Sequence, residues 1–179
     1  SEPRTIAADM RTKGWELSFV WRDRTTLLNR PFSYSLRAGL GDYQTKVTRF
    51  DNDTRLISEH YVGEKLGDIW GYKIDGLFRT DEEAAEYTQK VDCSYFTKRI
   101  DATATRKGLH AGDPKFLDLN GDNKISIGKN TVEDPGDRVI IGNSLPRYSY
   151  TFGGDFSWNG IDFSILFQGV GKRNWYPSS

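Results

Sequence analysis

The stretch Tyr148-Ser149-Tyr150-Thr151-Phe152-Gly153-Gly154-Asp155-Phe156-Ser157-Trp158-Asn159-Gly160-Ile161-Asp162-Phe163-Ser164-Ile165-Leu166-Phe167-Gln168 decides the fold. Up to Trp158 the even positions are aromatic or glycine, and the odd ones are Ser, Thr, Gly or Asp. From Ile161 the odd positions are Ile or Phe, with Asp162, Ser164, Leu166 and Gln168 between them. A period of two is that of a strand with one apolar and one polar face. Asn159-Gly160 supplies the positive φ values of a two-residue type I′ turn, so the two runs form an antiparallel hairpin.

The pattern occurs twice more near the start of the chain. Trp15, Leu17, Phe19 and Trp21 alternate with Glu16, Ser18, Val20 and Arg22. Phe32, Tyr34, Leu36, Ala38 and Leu40 alternate with Ser33, Ser35, Arg37 and Gly39. The four runs predict strands near residues 14–23, 32–43, 147–158 and 161–170, the first pair joined by a short link near Arg24–Pro31. Each run is roughly 9–11 residues long, enough to cross a bilayer when tilted, whereas strands of soluble proteins average ~5–6. Trp and Tyr stand at the run ends, where amphipathic rings meet the headgroup level. Two architectures fit: a wall of a membrane β-barrel, or a large soluble antiparallel sheet packed on one face.

Composition narrows the function. In 179 residues, 25 basic and 25 acidic side chains cancel, which removes the basic footprint of a nucleic-acid binder. The single cysteine, Cys93, excludes an internal disulfide and a thiolate zinc cluster. Mean hydropathy is −0.65, and no run approaches the ~20 apolar residues of a spanning helix. No charged n-region followed by an apolar stretch opens the sequence, so no signal peptide is expected. Aromatic residues make up 13% of a chain that is only 36% hydrophobic, a balance that strands apolar on alternate residues produce.

Between the two strand pairs lies a segment of about a hundred residues, 44–146, too long for a structureless loop. Short turns at one end of a sheet and a long segment at the other match a barrel whose short turns are periplasmic and whose long loops are extracellular. Within the segment, Thr80-Asp81-Glu82-Glu83 reads as a capping box opening a short helix through about Tyr87. Gly71–Phe78 reads as a short strand ending in a turn, and Lys98–Gly108 shows no pattern. Trp70, Tyr72 and Phe78 offer rings that either stack on sugars or pack beneath the loop.

Asp118, Asn120 and Asp122, with the Lys124 carbonyl, have the spacing of a Ca²⁺ loop. Asn123 replaces the turn glycine and Lys129 the closing glutamate, and the same side chains suit an Asx-turn that caps its own backbone. His60 and His110 are isolated. No nucleophile–base arrangement can be assembled from local motifs, so the chain is not read as an enzyme. Gly169-Val170-Gly171-Lys172 lacks the frame of a phosphate loop.

Lys13-Gly14-Trp15-Glu16-Leu17, Tyr61-Val62-Gly63-Glu64, Gly71–Phe78 and Gly112-Asp113-Pro114 leading into Asp118–Asp122 resemble segments of SusC/RagA-type TonB-dependent outer-membrane transporters. More specific are Asp137-Arg138-Val139-Ile140-Ile141-Gly142-Asn143-Ser144-Leu145-Pro146-Arg147-Tyr148 and Phe167-Gln168-Gly169-Val170-Gly171-Lys172-Arg173. The resemblance covers nearly the whole chain. It implies an all-β, mainly antiparallel fold: part of a transmembrane barrel in the cell outer membrane, with a long extracellular region containing a short helix. The barrel would import glycans or oligopeptides. Its partners would be the rest of the barrel and its plug, a SusD-like surface lipoprotein, and the TonB complex acting through segments absent here. The chain has no plug and too few strands to close a barrel, so it is expected to be a fragment. On this reading Trp15, Phe19, Trp21, Phe152, Trp158, Phe163 and Phe167 face lipid. Glu16, Arg22, Arg37, Asp155, Asp162 and Gln168 face the lumen. The alternative is a soluble β-rich carbohydrate-binding or adhesive surface module.

Overall fold

The computed structural model describes residues 8–101 and 108–175, so part of the patternless Lys98–Gly108 stretch lies outside it. The elements in chain order are β1 (Ala8–Leu27), β2 (Arg30–Phe50), β3 (Asp68–Tyr72), β4 (Ile74–Leu77), α1 (Asp81–Lys90), α2 (Ser94–Asp101), β5 (Pro114–Phe116), β6 (Arg138–Asn143), β7 (Arg147–Trp158) and β8 (Ile161–Lys172). The fold is mainly antiparallel β. Contacts divide it into two units: a sheet unit of Met10–Thr48, Lys65–Gly67 and the described residues from Asn143, and a loop unit holding Arg49–Glu64 and Asp68–Gly142.

The sheet unit is a four-stranded sheet in the order β1-β2-β7-β8. Its register turns the sequence alternation into a spatial one. Phe32, Tyr34, Leu36, Ala38 and Leu40 of β2 lie opposite Trp158, Phe156, Gly154, Phe152 and Tyr150 of β7. Those in turn oppose Ile161, Phe163, Ile165, Phe167 and Gly169 of β8. Directly opposed residues share a face, so the apolar sets of three strands form one continuous surface. β1 joins β2 through a two-residue turn, Leu28-Asn29, with φ of 50° and 60°. Such a turn sets Trp21, Phe19 and Leu17 opposite Leu36, Ala38 and Leu40. The Thr12–Thr45 hydroxyl contact of 2.8 Å fits that register.

The first hairpin is longer than its alternation. The link expected near Arg24–Pro31 is mostly strand, because Thr25 and Thr26 are β-branched and favour extended backbone. At the other end, mostly polar segments continue both strands, to Ala8 and to Phe50. The turns Leu28-Asn29 and Asn159-Gly160 lie at the same end of the sheet, beside the Phe32–Trp158 pair. The Trp158 indole N–H donates to the Leu27 carbonyl at 3.0 Å. The segment between β2 and β7 therefore leaves and re-enters at the opposite end.

The loop unit has its own core of Phe78, Ala84, Val91, Cys93, Leu109 and Ile125, with Tyr72, Tyr87, Phe96 and Phe116 packed on it. Phe96 and Phe116 stack at 4.2 Å between ring centres, and Tyr72 meets both edge-on. Burial pushes the Tyr72 hydroxyl up to about 12 and the Cys93 thiol up to about 11. Phe78 is 2% exposed, so its ring packs under the loop. Gly71–Phe78 is split between two sheets: β3 pairs with β6, and β4 with β5. The split falls at Lys73, whose carbonyl accepts the Leu117 N–H at 2.9 Å.

Helix α1 begins at the expected N-cap, Thr80, although the Glu83 carboxylate reaches the N–H one residue before it rather than that of Thr80. The Thr80 hydroxyl accepts the Glu83 N–H, and the Glu83 carboxylate accepts the Arg79 N–H at 2.9 Å. That bond, helped by Lys115, holds the Glu83 carboxyl below its ordinary value. A depressed folded-state pKa contributes stability above the unfolded value and loses it as pH falls through the folded one. We therefore expect Thr80→Ala to cost about 1 kcal/mol of local helix stability, read by hydrogen exchange of the α1 amides. In the unaltered protein the same amides should be fully protected at neutral pH. They should lose protection only below the ordinary glutamate range.

Candidate functional site

The candidate site is the sheet with its two unlike faces. On the apolar face Phe19 is 56% exposed, Trp21 51%, Phe163 57% and Phe167 55%. Covering a large apolar side chain is worth ~1.5–3 kcal/mol. A continuous surface of this kind far exceeds the scattered apolar residues normal on soluble proteins. From Trp158 to Tyr150 the surface runs about 27 Å along the strand at ~3.4 Å per residue. At the tilt of membrane barrels that is about 20 Å across a bilayer.

The opposite face is polar and internally paired. Arg37 reaches Asp155 at 2.7 Å, and the Ser164 hydroxyl donates to the same carboxylate at 2.7 Å. Asp162 is opposed by Ser157, and Gln168 by Thr151. Glu16 lies against Gly41 on this face, and the turn register places Arg22 opposite Ser35. Val20, Leu166 and Val170 are apolar exceptions here, all exposed. The structure thus gathers Glu16, Arg22, Arg37, Asp155, Asp162 and Gln168 on one face. It gathers Trp15, Phe19, Trp21, Phe152, Trp158, Phe163 and Phe167 on the other.

Where the long segment rejoins the sheet, two polar clusters fix the chain. The Arg147 guanidinium donates two bonds to the Asp42 carboxylate, at 2.6 and 2.5 Å. The Tyr148 N–H donates to the same group at 3.3 Å, and Tyr148 sits at φ 58°. Asn143 ties three segments together. Its amide N–H₂ donates to the Leu66 carbonyl at 3.1 Å and its amide oxygen accepts the Leu145 N–H at 2.9 Å. Its backbone N–H donates to the Asn174 side chain at 3.2 Å, and its carbonyl accepts the Asn174 N–H at 3.0 Å. Neither cluster has a local sequence signal, because the partners are far apart in the chain.

In the loop unit the residues read as a calcium loop form a turn that caps itself. The Asp118 carboxylate accepts the N–H groups of Gly121 and Asn123 at 2.7 and 2.8 Å. Asn120 accepts from Asp122, and Asp122 accepts from Lys124. Asn123 takes φ 59°, the conformation a glycine would supply. The Asn120 amide N–H₂ donates to Asp122 at 3.0 Å, which turns its nitrogen toward the carboxylate a cation would need. Among the described residues no three His, Cys, Asp or Glu side chains converge to hold a metal ion. In this structure these side chains are engaged in capping their own turn. Behind the turn, the fully buried Asp137 accepts the N–H groups of Leu119 and Ser126 at 2.9 and 2.8 Å. Close by, a Cβ on Gly136 would collide with the Ser126 carbonyl. His60 pairs with Glu64 at 2.8 Å, and His110 lies 3.5 Å from Asp81.

With this geometry in view, the relatives can be compared. The chain is 27% identical to TonB-dependent receptor P39 of Formosa agariphila over 94% of its own length. It is 29% identical to TonB-dependent receptor P26 of the same organism over 90%, and 24% identical to TonB-dependent receptor P3 over 89%. The chain is similar to TonB-dependent receptors. It spans 17% of the length of P39 and 15% of P26 and P3. No family model matches it. Each similarity extends over most of the chain.

Two outcomes follow for the loop unit. Asp137→Ala strips the acceptor from two buried N–H groups, and should cost roughly 2–5 kcal/mol. Asp137→Asn keeps one oxygen and should cost less, with loop-unit hydrogen exchange as the readout. Calcium or a chelator should leave the exchange of residues 118–126 unchanged; slowing by calcium would restore the metal reading.

Proposed function

We propose that the chain is part of the barrel wall of an outer-membrane TonB-dependent importer. The sorting of side chains across four strands carries this reading. In it, Trp15, Phe19, Trp21, Phe152, Trp158, Phe163 and Phe167 meet lipid, while Glu16, Arg22, Arg37, Asp155, Asp162 and Gln168 line a wet lumen. Trp158 and Trp15 mark the two interfaces, as amphipathic rings do at headgroup level. The turns Leu28-Asn29 and Asn159-Gly160 are periplasmic, and residues 44–146 form the extracellular region. Edge strands β1 and β8 pair with further strands of the barrel, which gives their open backbone groups partners.

The resemblance to SusC/RagA-type sequences extends the proposal. The importer takes large nutrients, glycans or oligopeptides, energised by the TonB complex through parts of the protein beyond this chain. A SusD-like lipoprotein works with it at the extracellular mouth. The polar wall selects by hydrogen bonding and charge, and no catalytic residue is assigned. A soluble carbohydrate-binding or adhesive module would need a protein cover for the apolar face. Among the described residues none forms a layer over Phe19, Trp21, Phe163 and Phe167.

The two faces of β8 test the proposal. Phe163→Arg places a charge on the lipid side and should cost about 2–4 kcal/mol near mid-bilayer. Its neighbour Ser164→Arg faces the lumen and should insert normally. Outer-membrane yield and resistance of the folded barrel to detergent unfolding are the readouts. Equal insertion of the two variants would refute the lipid assignment.

A further inference from the structure

Beyond the aromatic rows, the same face of the sheet changes character. Along β1 the alternation that carries Phe19, Leu17 and Trp15 continues into Lys13 and Arg11. Along β2 the positions that carry Leu36, Ala38 and Leu40 continue, past Asp42, into Gln44, Lys46 and Thr48. Arg11, Lys13, Gln44, Lys46 and Thr48 line one concavity, so these five side chains do share a side. Thr45 and Val47 lie on the other side, and Val47 is buried.

The cations are placed against one another. Lys46 and Lys65 are directly opposed in an antiparallel bridge, and the Leu66 N–H bonds to the Thr45 carbonyl at 2.8 Å to hold that pairing. On the other flank of Lys46, the register set by the Leu28-Asn29 turn places Arg11 directly opposite. Three like charges thus stand in a row across β1, β2 and the bridged Lys65 segment, and like charges directly opposed are destabilising, a cost that an anion among them would relieve. No acidic side chain among the described residues answers them. The flanking carboxylates are engaged elsewhere: Asp9 by Arg49 at 2.7 Å, Asp42 by Arg147 and Glu64 by His60. Glu16 lies on the opposite face.

We infer that Arg11, Lys13, Lys46 and Lys65 form a binding site for the phosphate-bearing headgroup of an outer-leaflet lipid, with Gln44 and Thr48 supplying further donors. The inference rests on the proposed membrane position of the apolar face. Lys13 and Arg11 stand about 7 and 14 Å beyond Trp15 along the strand, at ~3.4 Å per residue. At barrel tilt this puts them about 5 and 10 Å above the apolar band, in and just above the headgroup layer. They lie at the end away from the short turns, hence on the leaflet that faces outward. Cations at that depth are attracted to anionic headgroups. Lipid tails covering Trp15 and Leu17 would hold the phosphate at the same place, so the apolar and basic parts of the face would bind one molecule.

The test uses the whole natural protein in nanodiscs of phosphatidylcholine, with or without added lipid A, and counts retained lipid by native mass spectrometry. The unaltered protein should retain lipid A in preference to phosphatidylcholine. R11Q/K13Q/K46Q should insert normally and lose that preference, about five-fold for each cation removed. Millimolar inorganic phosphate should not displace the lipid. Unchanged retention by the inserted triple variant overturns the site. Displacement by inorganic phosphate also overturns it, in favour of a free-anion site. Failure of the membrane reading shows differently: the unaltered protein would not enter nanodiscs at all, or Phe163→Arg would insert as well as Ser164→Arg.

Discussion

An antiparallel sheet that carries aromatic side chains on every second position of one face, with no layer over them among the described residues, needs an apolar surrounding. Water is the wrong solvent for Trp21, Phe19, Phe163 and Phe167, each more than half exposed. The rest of the arrangement follows from that constraint. The opposite face is closed by its own polar pairs, Arg37 with Asp155 and Ser164 with Asp155, so it can face water without a partner. In the proposed barrel wall, the strand length matches the apolar surface to a bilayer rather than to a protein core. Beyond Trp15 the same face turns basic within two residues, at Lys13, which suits the headgroup layer of the proposed membrane position.

The loop unit obeys the opposite rule. It buries Phe78, Ile125 and Ala84 almost completely, and pairs its buried carboxylate, Asp137, with two backbone N–H groups. Its strands are short and its helix α1 is capped at both ends by hydrogen bonds. This is water-soluble architecture, stabilised by its own core. A single chain thus contains one unit with its own buried core and one that carries a broad exposed apolar face.

Much of this was legible in the residues. The period-two runs located all four long strands, the Asn159-Gly160 hairpin and the segregation of the two faces, because side-chain direction in a strand alternates without exception. The capping box located the start of α1. Other features were not legible, for identifiable reasons. Leu28-Asn29 is a tight turn in which leucine takes a positive φ, and leucine is no turn signal. Gly71–Phe78 alternates as one strand would, yet it is divided between two sheets by partners from β5 and β6. The Asp42–Arg147 pair and the Asn143 junction join residues distant in the chain, so only the folded register reveals them. The row of Arg11, Lys46 and Lys65 was hidden for the same reason. Each looks like a solvated charge until the strands are paired.

The central claim is that the aromatic face lies in lipid and the polar face in water. Nitroxide labels placed singly at positions 161–168 of the whole protein in bilayers test it most directly. Accessibility to lipid-dissolved oxygen and to a water-soluble nickel chelate is then measured at each position. The account expects odd positions to favour oxygen and even positions the chelate, in strict alternation. Chelate access at all eight positions, or oxygen access without alternation, would contradict it.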